Sequence, residues 1–249
     1  MTEEMAVIVG ATGALGRAVA ERLAATGLRI LAVSRTAQTL DDLKRSNPAI
    51  TACLADIASD ESIARIAAAV SGPVRMVVHG PGLAAPGEVL TIPTQALADS
   101  VNIKAGGMLR LVRAVDAQLQ PHSRLVAIGG HFGLEPSSDS TAAGVANAAL
   151  LNLTRQLSQA YGQRGITAHY IAPGPAETER LRRFAAARAR RDSVDVEDVI
   201  DDLRHESSIG GLTTPEQLAW AVALLLAPEA DALTGSSLMI ECGRRRGLP

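Results

Sequence analysis

Short apolar runs alternate along the chain with longer segments in which apolar positions recur at helical spacing. Most runs end in glycine, proline or small polar residues before the next segment begins. Strands that alternate with helices in this way are typical of a parallel sheet covered by helices on both faces. The pattern therefore predicts an α/β fold, a doubly wound parallel sheet of Rossmann type, with residues 1–249 in one domain.

The element boundaries follow from the same pattern. Strands are predicted over 7–9, 29–33, 50–54, 74–78, 123–128, 166–172 and 236–240. Helices are predicted over 17–26, 40–46, 62–70, 94–99 leading into 100–119, 141–161, 178–204 and 214–226. Asp60 suits the N-cap of the third helix, and Thr214 with Pro215 is typical of a helix start. Pro121 is expected to end the helix over 100–119, because proline lacks the N–H that the next turn needs.

A glycine-rich turn follows the first strand and opens a helix. Glycine lets the backbone approach a phosphate closely, and the free N–H groups at a helix start favour an anion. We therefore predict a dinucleotide-binding loop with contacts from Gly10, Thr12, Gly13, Leu15 and Gly16. The alternative is an ordinary strand–helix turn with no ligand.

The second strand ends at Ser34 and Arg35, where dinucleotide folds meet the adenosine ribose. An acidic residue there would bind the 2′-hydroxyl, whereas an arginine suits a 2′-phosphate. Since the position holds Arg35 and no acid, the sequence favours NADP(H) over NAD(H). The alternative for Arg35 is a solvated loop arginine.

The composition narrows the class of partner. Apolar residues make up 47% of the chain and aromatic residues 2%, so the core is built from small aliphatic side chains. The formal net charge of −2 gives no argument for nucleic acid or for an anionic membrane. Cys53 and Cys242 lie far apart in apolar contexts, so neither a disulfide framework nor a metal site is indicated. We expect a soluble, cytoplasmic protein that acts on a small molecule.

Over nearly its whole length the chain resembles the short-chain dehydrogenase/reductase family. Asp56 and Ile57 resemble the pair that contacts the adenine, and Asn102 lies at the position of the family's helix asparagine. Residues 212–219 and 235–243 resemble the family's C-terminal pattern. The resemblance implies cofactor contacts from Gly10, Thr12, Gly13, Leu15, Gly16, Ser34, Arg35, Asp56, Ile57, His79, Gly80, Asn102, Asn147, Pro173, Gly174 and Thr178.

The resemblance fails where the family performs its proton transfer. Alignment places Gly130 at the family's serine, Ala143 at its tyrosine and Asn147 at its lysine. In the family the tyrosine is the general acid/base, and the lysine lowers its pKa and holds the ribose; we call this pair the proton relay. An alanine can neither donate nor accept a proton. The chain is therefore expected to be an atypical member, and Tyr161 lies too far along the helix to substitute.

Two interpretations of this loss stay open. Hydride transfer could persist with another proton source, for which His131 or a water held by Asn102 is a candidate catalytic group. Alternatively, the protein is a lyase, isomerase or cyclase, or a non-catalytic cofactor-binding protein on the same scaffold.

A charged segment over about 178–208 is expected to form a helical lid over the substrate. Its arginines precede an acidic stretch over 192–202 and are Arg180, Arg182, Arg183, Arg188, Arg190 and Arg191. They either form a solvated helix pair with the acidic stretch or bind an anionic or bulky substrate, with Arg182 and Arg183 as the candidates. The resemblance also implies a homodimer or homotetramer, in which helices 100–119 and 141–161 pack between subunits.

Overall fold

A parallel sheet of seven strands forms the centre of the computed structural model, which describes residues 4–83 and 87–247. The strands are β1 Met5–Val9, β2 Arg29–Ser34, β3 Ile50–Leu54, β4 Val74–His79, β5 Leu119–Ile128, β6 Thr167–Pro173 and β7 Ser237–Ile240. Their spatial order is β3-β2-β1-β4-β5-β6-β7, and every neighbouring pair is parallel. The chain order reverses between β1 and β4, so a crevice opens at their carboxyl ends.

Helices connect the strands. They are α1 Ala14–Ala24, α2 Ala37–Ser46, α3 Glu61–Ala69, α4 Thr94–Val101, α5 Gly107–Val115, α6 Thr141–Tyr161, α7 Glu179–Asp192, α8 Val196–His205 and α9 Pro215–Leu224. A π-helical turn, Asn102–Gly106, joins α4 to α5. The predicted bounds of β3 and α6 agree with the structure to the residue.

Two apolar layers cover the two faces of the sheet. Ile66 of α3, Leu111 of α5 and Leu150 of α6 pack on one face. Helices α1, α2 and α9 cover the other face, where Val19 and Leu218 are fully buried. This arrangement confirms the predicted doubly wound parallel sheet.

The prediction that Pro121 ends a helix over 100–119 is wrong. The helical run closes with a 3-10 turn, Asp116–Gln118, and β5 already begins at Leu119. Leu119 pairs with Val74 and Arg124 with Met76, so β5 carries extra residues between these two pairs. Pro121 lies in this irregular stretch, where the missing N–H breaks no regular ladder bond.

Two other boundaries also differ from the sequence prediction. The charged region over 178–204 forms two helices, because Ser193 adopts a left-handed conformation (φ 56°) that ends α7. Asp60 occupies the N-cap position of α3 but caps no backbone N–H, and its carboxylate pairs with Arg110. Thr214 does cap α9 and completes a capping box with Gln217, as the sequence predicted for this helix start.

Arg124 ties β5 to the C-terminal part of the chain. Its side chain is fully buried, and its Nε donates to the Leu225 carbonyl at 2.6 Å. Its Nη2 donates to the Ala227 carbonyl at 3.1 Å, and its Nη1 pairs with the Asp231 carboxylate. The buried guanidinium is the hydrogen-bond donor to both carbonyls. Arg124 therefore determines how the segment after α9 lies against the sheet.

Replacing Arg124 by Met should therefore lower the free energy of unfolding by about 3 kcal/mol, since buried acceptors lose their donor. Chemical denaturation measures the change. Arg113→Met is the matched control, because Arg113 is exposed on α5 and should shift the free energy by no more than about 0.5 kcal/mol. Equal destabilisation by both variants would contradict the assignment.

Candidate active site

Backbone segments approach one another very closely at the carboxyl ends of β1 and β4. Gly10 has a φ of +86°, and a Cβ on it would lie 2.7 Å from the Gly80 carbonyl oxygen. A Cβ on Gly16 would lie 2.1 Å from the Gly10 carbonyl oxygen. Only glycine therefore fits either position, and the crevice floor is bare backbone that a dinucleotide phosphate can approach.

The start of α1 offers its backbone donors to this crevice. Gly13 is the N-cap of α1 and has no side chain to satisfy the first N–H groups of the helix. Beside it, the Thr12 and Ser34 hydroxyls lie 3.2 Å apart, which links the loop after β1 to the tip of β2. Arg35 follows Ser34 and is exposed. These residues fit the phosphate and ribose groups of a dinucleotide.

Asp56 and Asn102 meet at the turn after β3. The Asp56 Oδ1 accepts from the Ala58 N–H at 3.0 Å, and the Asn102 Nδ2 donates to the Ala58 carbonyl at 3.0 Å. The Asn102 amide thus holds this turn against the π-helical segment. Ile57 is buried next to it, while Asp56 itself is exposed.

Two buried basic side chains lie beneath the crevice. The Lys104 Nζ donates to the Ile128 carbonyl at 2.9 Å, and burial, followed by the charge of Arg180, lowers the pKa of Lys104 to about 7. The His79 Nε2 lies 3.1 Å from the Ile103 carbonyl. Burial and the charge of Lys104 lower the pKa of His79 to about 3, so His79 is neutral at pH 7.

The turn between β5 and α6 is packed around the Tyr170 hydroxyl. This hydroxyl accepts from the Gly130 N–H and donates to the Gly130 carbonyl, both at 3.1 Å. A Cβ on Gly129 would lie 1.9 Å from the same oxygen, so the glycine there is required. Burial raises the pKa of Tyr170 to about 12, and we assign this neutral phenol to holding the turn.

Gly130 and Asn147 lie side by side. A Cβ on Gly130 would be 2.9 Å from the Asn147 Nδ2, so the asparagine fills space that a serine at 130 would need. Asn147 is buried, and its Oδ1 has no partner in the described part of the chain. Ala143 lies one turn earlier on α6 and is partly exposed.

His131 follows Gly130 and is 6% exposed. Burial, followed by the charge of Arg244, lowers the pKa of His131 to about 4, so the ring is neutral at pH 7. Its Nε2 is buried without a hydrogen-bond partner among residues 4–83 and 87–247. A neutral imidazole with an unpaired nitrogen can bond a substrate oxygen or a water.

The residues at the start of α7 differ in what they reach. Thr178 caps α7 by accepting from the Leu181 N–H at 3.4 Å, and Pro173 and Gly174 precede it at the end of β6. Arg182 pairs with Glu197 of α8 at 3.2 Å. Arg180 instead reaches across to the loop after β4, where a Cβ on Gly82 would lie 2.8 Å from its Nη1.

The C-terminal segment returns to the loop after β5. The Glu135 Oε1 accepts from the Arg246 N–H at 2.9 Å and from the Gly247 N–H at 2.8 Å. Arg244 pairs with Glu206 of the loop after α8. The segment therefore connects the loop after β5 to the loop after α8.

Most glycines of the crevice could be recognised from the sequence, whereas three side chains beside them could not. Lys104 and Tyr170 gave no motif, and Arg180 was one of six arginines without a reason to single it out. Lys104 had one usable signal, because the chain contains two lysines, Lys44 and Lys104, among 24 lysines and arginines.

Neither a metal-binding cluster nor a membrane-spanning helix is found in the described part of the chain. No three histidines, cysteines or acidic residues within 4–83 and 87–247 are grouped so as to hold a metal ion. In the same residues, no helix combines the length and the hydropathy that a membrane span requires.

Comparisons with known proteins agree with this geometry. The family model described as enoyl-(acyl carrier protein) reductase matches residues 10–245. The chain is 28% identical over 251 residues to the short-chain reductase protein NovJ of Streptomyces niveus, covering 97% of this chain and 94% of that protein. It is 26% identical over 246 residues to the 3-oxoacyl-(acyl-carrier-protein) reductase FabG of Escherichia coli, covering 96% of each.

Solved structures share the fold. L-sorbose reductase from Gluconobacter frateurii, complexed with NADPH and L-sorbose, superposes with a TM-score of 0.90 at 19% identity, over 100% of this chain and 98% of that one. A variant of actinorhodin polyketide ketoreductase with NADPH superposes with a TM-score of 0.89 at 24% identity, over 97% of each chain.

The buried neutral state of His131 predicts a stability that falls in acid. An unfolded histidine titrates near pH 6.5, whereas the folded pKa is about 4, so the unfolded chain binds more protons between these values. The free energy of unfolding should therefore fall as the pH is lowered from about 6.5 to 4. His131→Asn should reduce the slope by about 1.4 kcal/mol per pH unit.

Denaturant midpoints at successive pH values measure this slope. His205→Asn is the control, because His205 is exposed on α8. A slope that is the same in His131→Asn and in the native protein would show that His131 is not buried in its neutral form.

Proposed function

We infer the function from one premise: this chain belongs to the short-chain dehydrogenase/reductase family, a family of oxidoreductases. We propose that it is an NADP(H)-dependent oxidoreductase that interconverts a carbonyl and an alcohol without the usual Tyr–Lys proton relay. The observation that carries this proposal is the close backbone packing at Gly10 and Gly16, where a Cβ would lie 2.7 Å and 2.1 Å from carbonyl oxygens. When bound there, the nicotinamide supplies the hydride.

The preference for NADP(H) rests on the tip of β2. Arg35 is exposed there, and Ser34 is held to the loop after β1 by its contact with Thr12. A guanidinium at this place pairs with a 2′-phosphate, while no carboxylate follows β2 to bind a 2′-hydroxyl.

The absence of the relay rests on what occupies its positions. Ala143 carries no ionisable group, and Asn147 is a buried amide whose nitrogen lies against the Gly130 turn. His131 then provides the ionisable side chain next to this turn, with an unpaired Nε2. We assign to His131 the hydrogen bond that orients the substrate oxygen. A water near Asn102 delivers the proton to this oxygen during reduction and removes it during oxidation.

The proposed substrate carries a negative charge. Arg180 has no acidic partner among the described residues, and a Cβ on Gly82 would lie 2.8 Å from its Nη1. Burial, followed by the charge of Arg183, lowers the pKa of Arg180. A carboxylate or phosphate of the substrate would supply the negatively charged partner.

The homo-oligomer and the cytoplasmic location stay proposals. The outer face of α6 supports the first, because Val145 is 45% exposed there and Ala148 is also exposed. An open groove lined by Ala148, Leu151, Asn152, Arg155 and Gly235 runs along this face.

Titration of the purified protein with NADPH and with NADH, followed by nicotinamide fluorescence, tests the cofactor. NADPH should bind more tightly, and Arg35→Ala should weaken NADPH about tenfold or more while leaving NADH unchanged, because a charged hydrogen bond to the phosphate is lost. Equal losses for both cofactors would contradict a contact with the 2′-phosphate. Binding of NADPH without oxidation by any carbonyl compound would instead favour the non-redox enzyme or the cofactor-binding protein.

A pair of substrates tests the charge at Arg180. Arg180→Met should raise the KM of a β-keto acid about tenfold or more, with little effect on its methyl ester, because only the acid pairs with the guanidinium. Arg183→Met is the control, since Arg183 is exposed on the same helix. Similar losses for acid and ester, or a larger effect from Arg183→Met, would assign the substrate charge elsewhere.

A further inference from the structure

Lysine is almost absent from this chain. Of 24 lysines and arginines, only Lys44 and Lys104 are lysines. Lys44 is exposed near the end of α2, whereas Lys104 is 6% exposed in the π-helical turn. A protein that uses arginine for nearly every other cation therefore keeps a lysine in its interior, next to the candidate active site.

The partners of Lys104 do not balance its charge. Its Nζ donates to the Ile128 carbonyl at 2.9 Å, and no carboxylate in the described part of the chain pairs with it. The ionisable groups that act on it or lie beside it are Arg180, which is a second cation, and His79, which is neutral. A buried ammonium without a counter-charge destabilises the fold, and such groups are concentrated at functional sites.

A neutral donor would serve the Ile128 carbonyl equally well. This carbonyl is at the end of β5, and an uncharged amide donor would satisfy it without burying a charge. A lysine differs from arginine in being compact and in changing its protonation state readily when it is buried. The hydrogen bond to Ile128 therefore explains why a donor stands at position 104, but it does not explain why that donor carries a charge.

Lys104 and Asn147 approach the same turn from two packed helical segments. The π-helical turn packs against α6, where Asn147 lies. Lys104 bonds the carbonyl of Ile128, and the Asn147 amide lies against Gly130, two residues further along the chain. In the family, the lysine at the Asn147 position holds the cofactor ribose with a positive charge. Asn147 is a buried, uncharged amide and offers no such charge.

We propose that Lys104 has taken over this cationic role, so that the lysine has moved from α6 to the π-helical turn. The inference rests on the proposed function. Lys104 holds the ribose beside the reacting carbonyl, and in its protonated form it stabilises the negative charge that develops on the carbonyl oxygen. The family lysine also lowers the pKa of the catalytic tyrosine. Lys104 does not have this second role, because Ala143 stands at the tyrosine position.

Lys104→Gln tests the charge while it keeps a donor for Ile128. The NADPH dissociation constant should rise about tenfold to a hundredfold, because a hydrogen bond from a charged group is lost. The kcat for carbonyl reduction should fall as well. Lys44→Gln is the matched control and should change neither quantity. Unchanged NADPH affinity in a folded Lys104→Gln protein would overturn the proposal.

Restoring the lysine on α6 separates this role from a structural one. In the Lys104→Gln background, Asn147→Lys should restore at least about a tenth of the NADPH association constant that Lys104→Gln removes. The reason is that a cation again reaches the turn from the family's position. If Lys104 only supported the π-helical turn, a lysine at 147 would recover nothing. Failure to recover would therefore count against the relocation.

A measurement on the native protein covers the case in which Lys104→Gln does not fold. Acetylation of the two lysines is followed by mass spectrometry with and without saturating NADPH, with Lys44 as the internal reference. NADPH should slow the modification of Lys104 severalfold and leave Lys44 unchanged. Equal rates at Lys104 would overturn the proposal.

The two proposals fail in different ways. A native protein that binds NADPH but reduces no carbonyl compound rejects the oxidoreductase, while the NADPH affinities of the variants still decide the role of Lys104. A native protein that binds no NADPH overturns both.

Discussion

The close contact of three backbone segments at the carboxyl ends of β1 and β4 is the constraint on which the rest of the site depends. Gly10 and Gly16 pack against carbonyl oxygens at distances that leave no room for a Cβ. This packing brings the start of α1 beside the tips of β2 and β4, and it leaves backbone N–H groups at the crevice floor. The crevice therefore favours an anionic, flat ligand before any side chain is considered.

The turn after β5 obeys a second constraint of the same kind. The Tyr170 hydroxyl occupies the space below Gly129 and bonds both polar groups of Gly130. Asn147 fills the volume that a serine side chain at 130 would need. Gly129 and Gly130 thus make room for the Tyr170 hydroxyl and the Asn147 side chain, and the turn packs as one unit with these neighbours.

The fold could be predicted from sequence because strand burial and helical periodicity are local signals. The bounds of β3 and α6 were correct, and the capping of α9 followed from Thr214 and Pro215. Pro121 was misinterpreted because a proline near a helix end and a proline in a strand irregularity look alike in sequence. Only the pairing of β5 with β4 distinguishes the two cases.

The sequence by itself determined the sheet and the glycine-rich turn after β1, because both are written in residues close together in the chain. The tertiary structure decided which charged groups face the crevice. Lys104, Arg180 and Tyr170 come from different elements, and their burial and partners depend on how those elements pack. A pKa is set by desolvation and by neighbouring charges in space, and neither can be obtained from the order of residues along the chain.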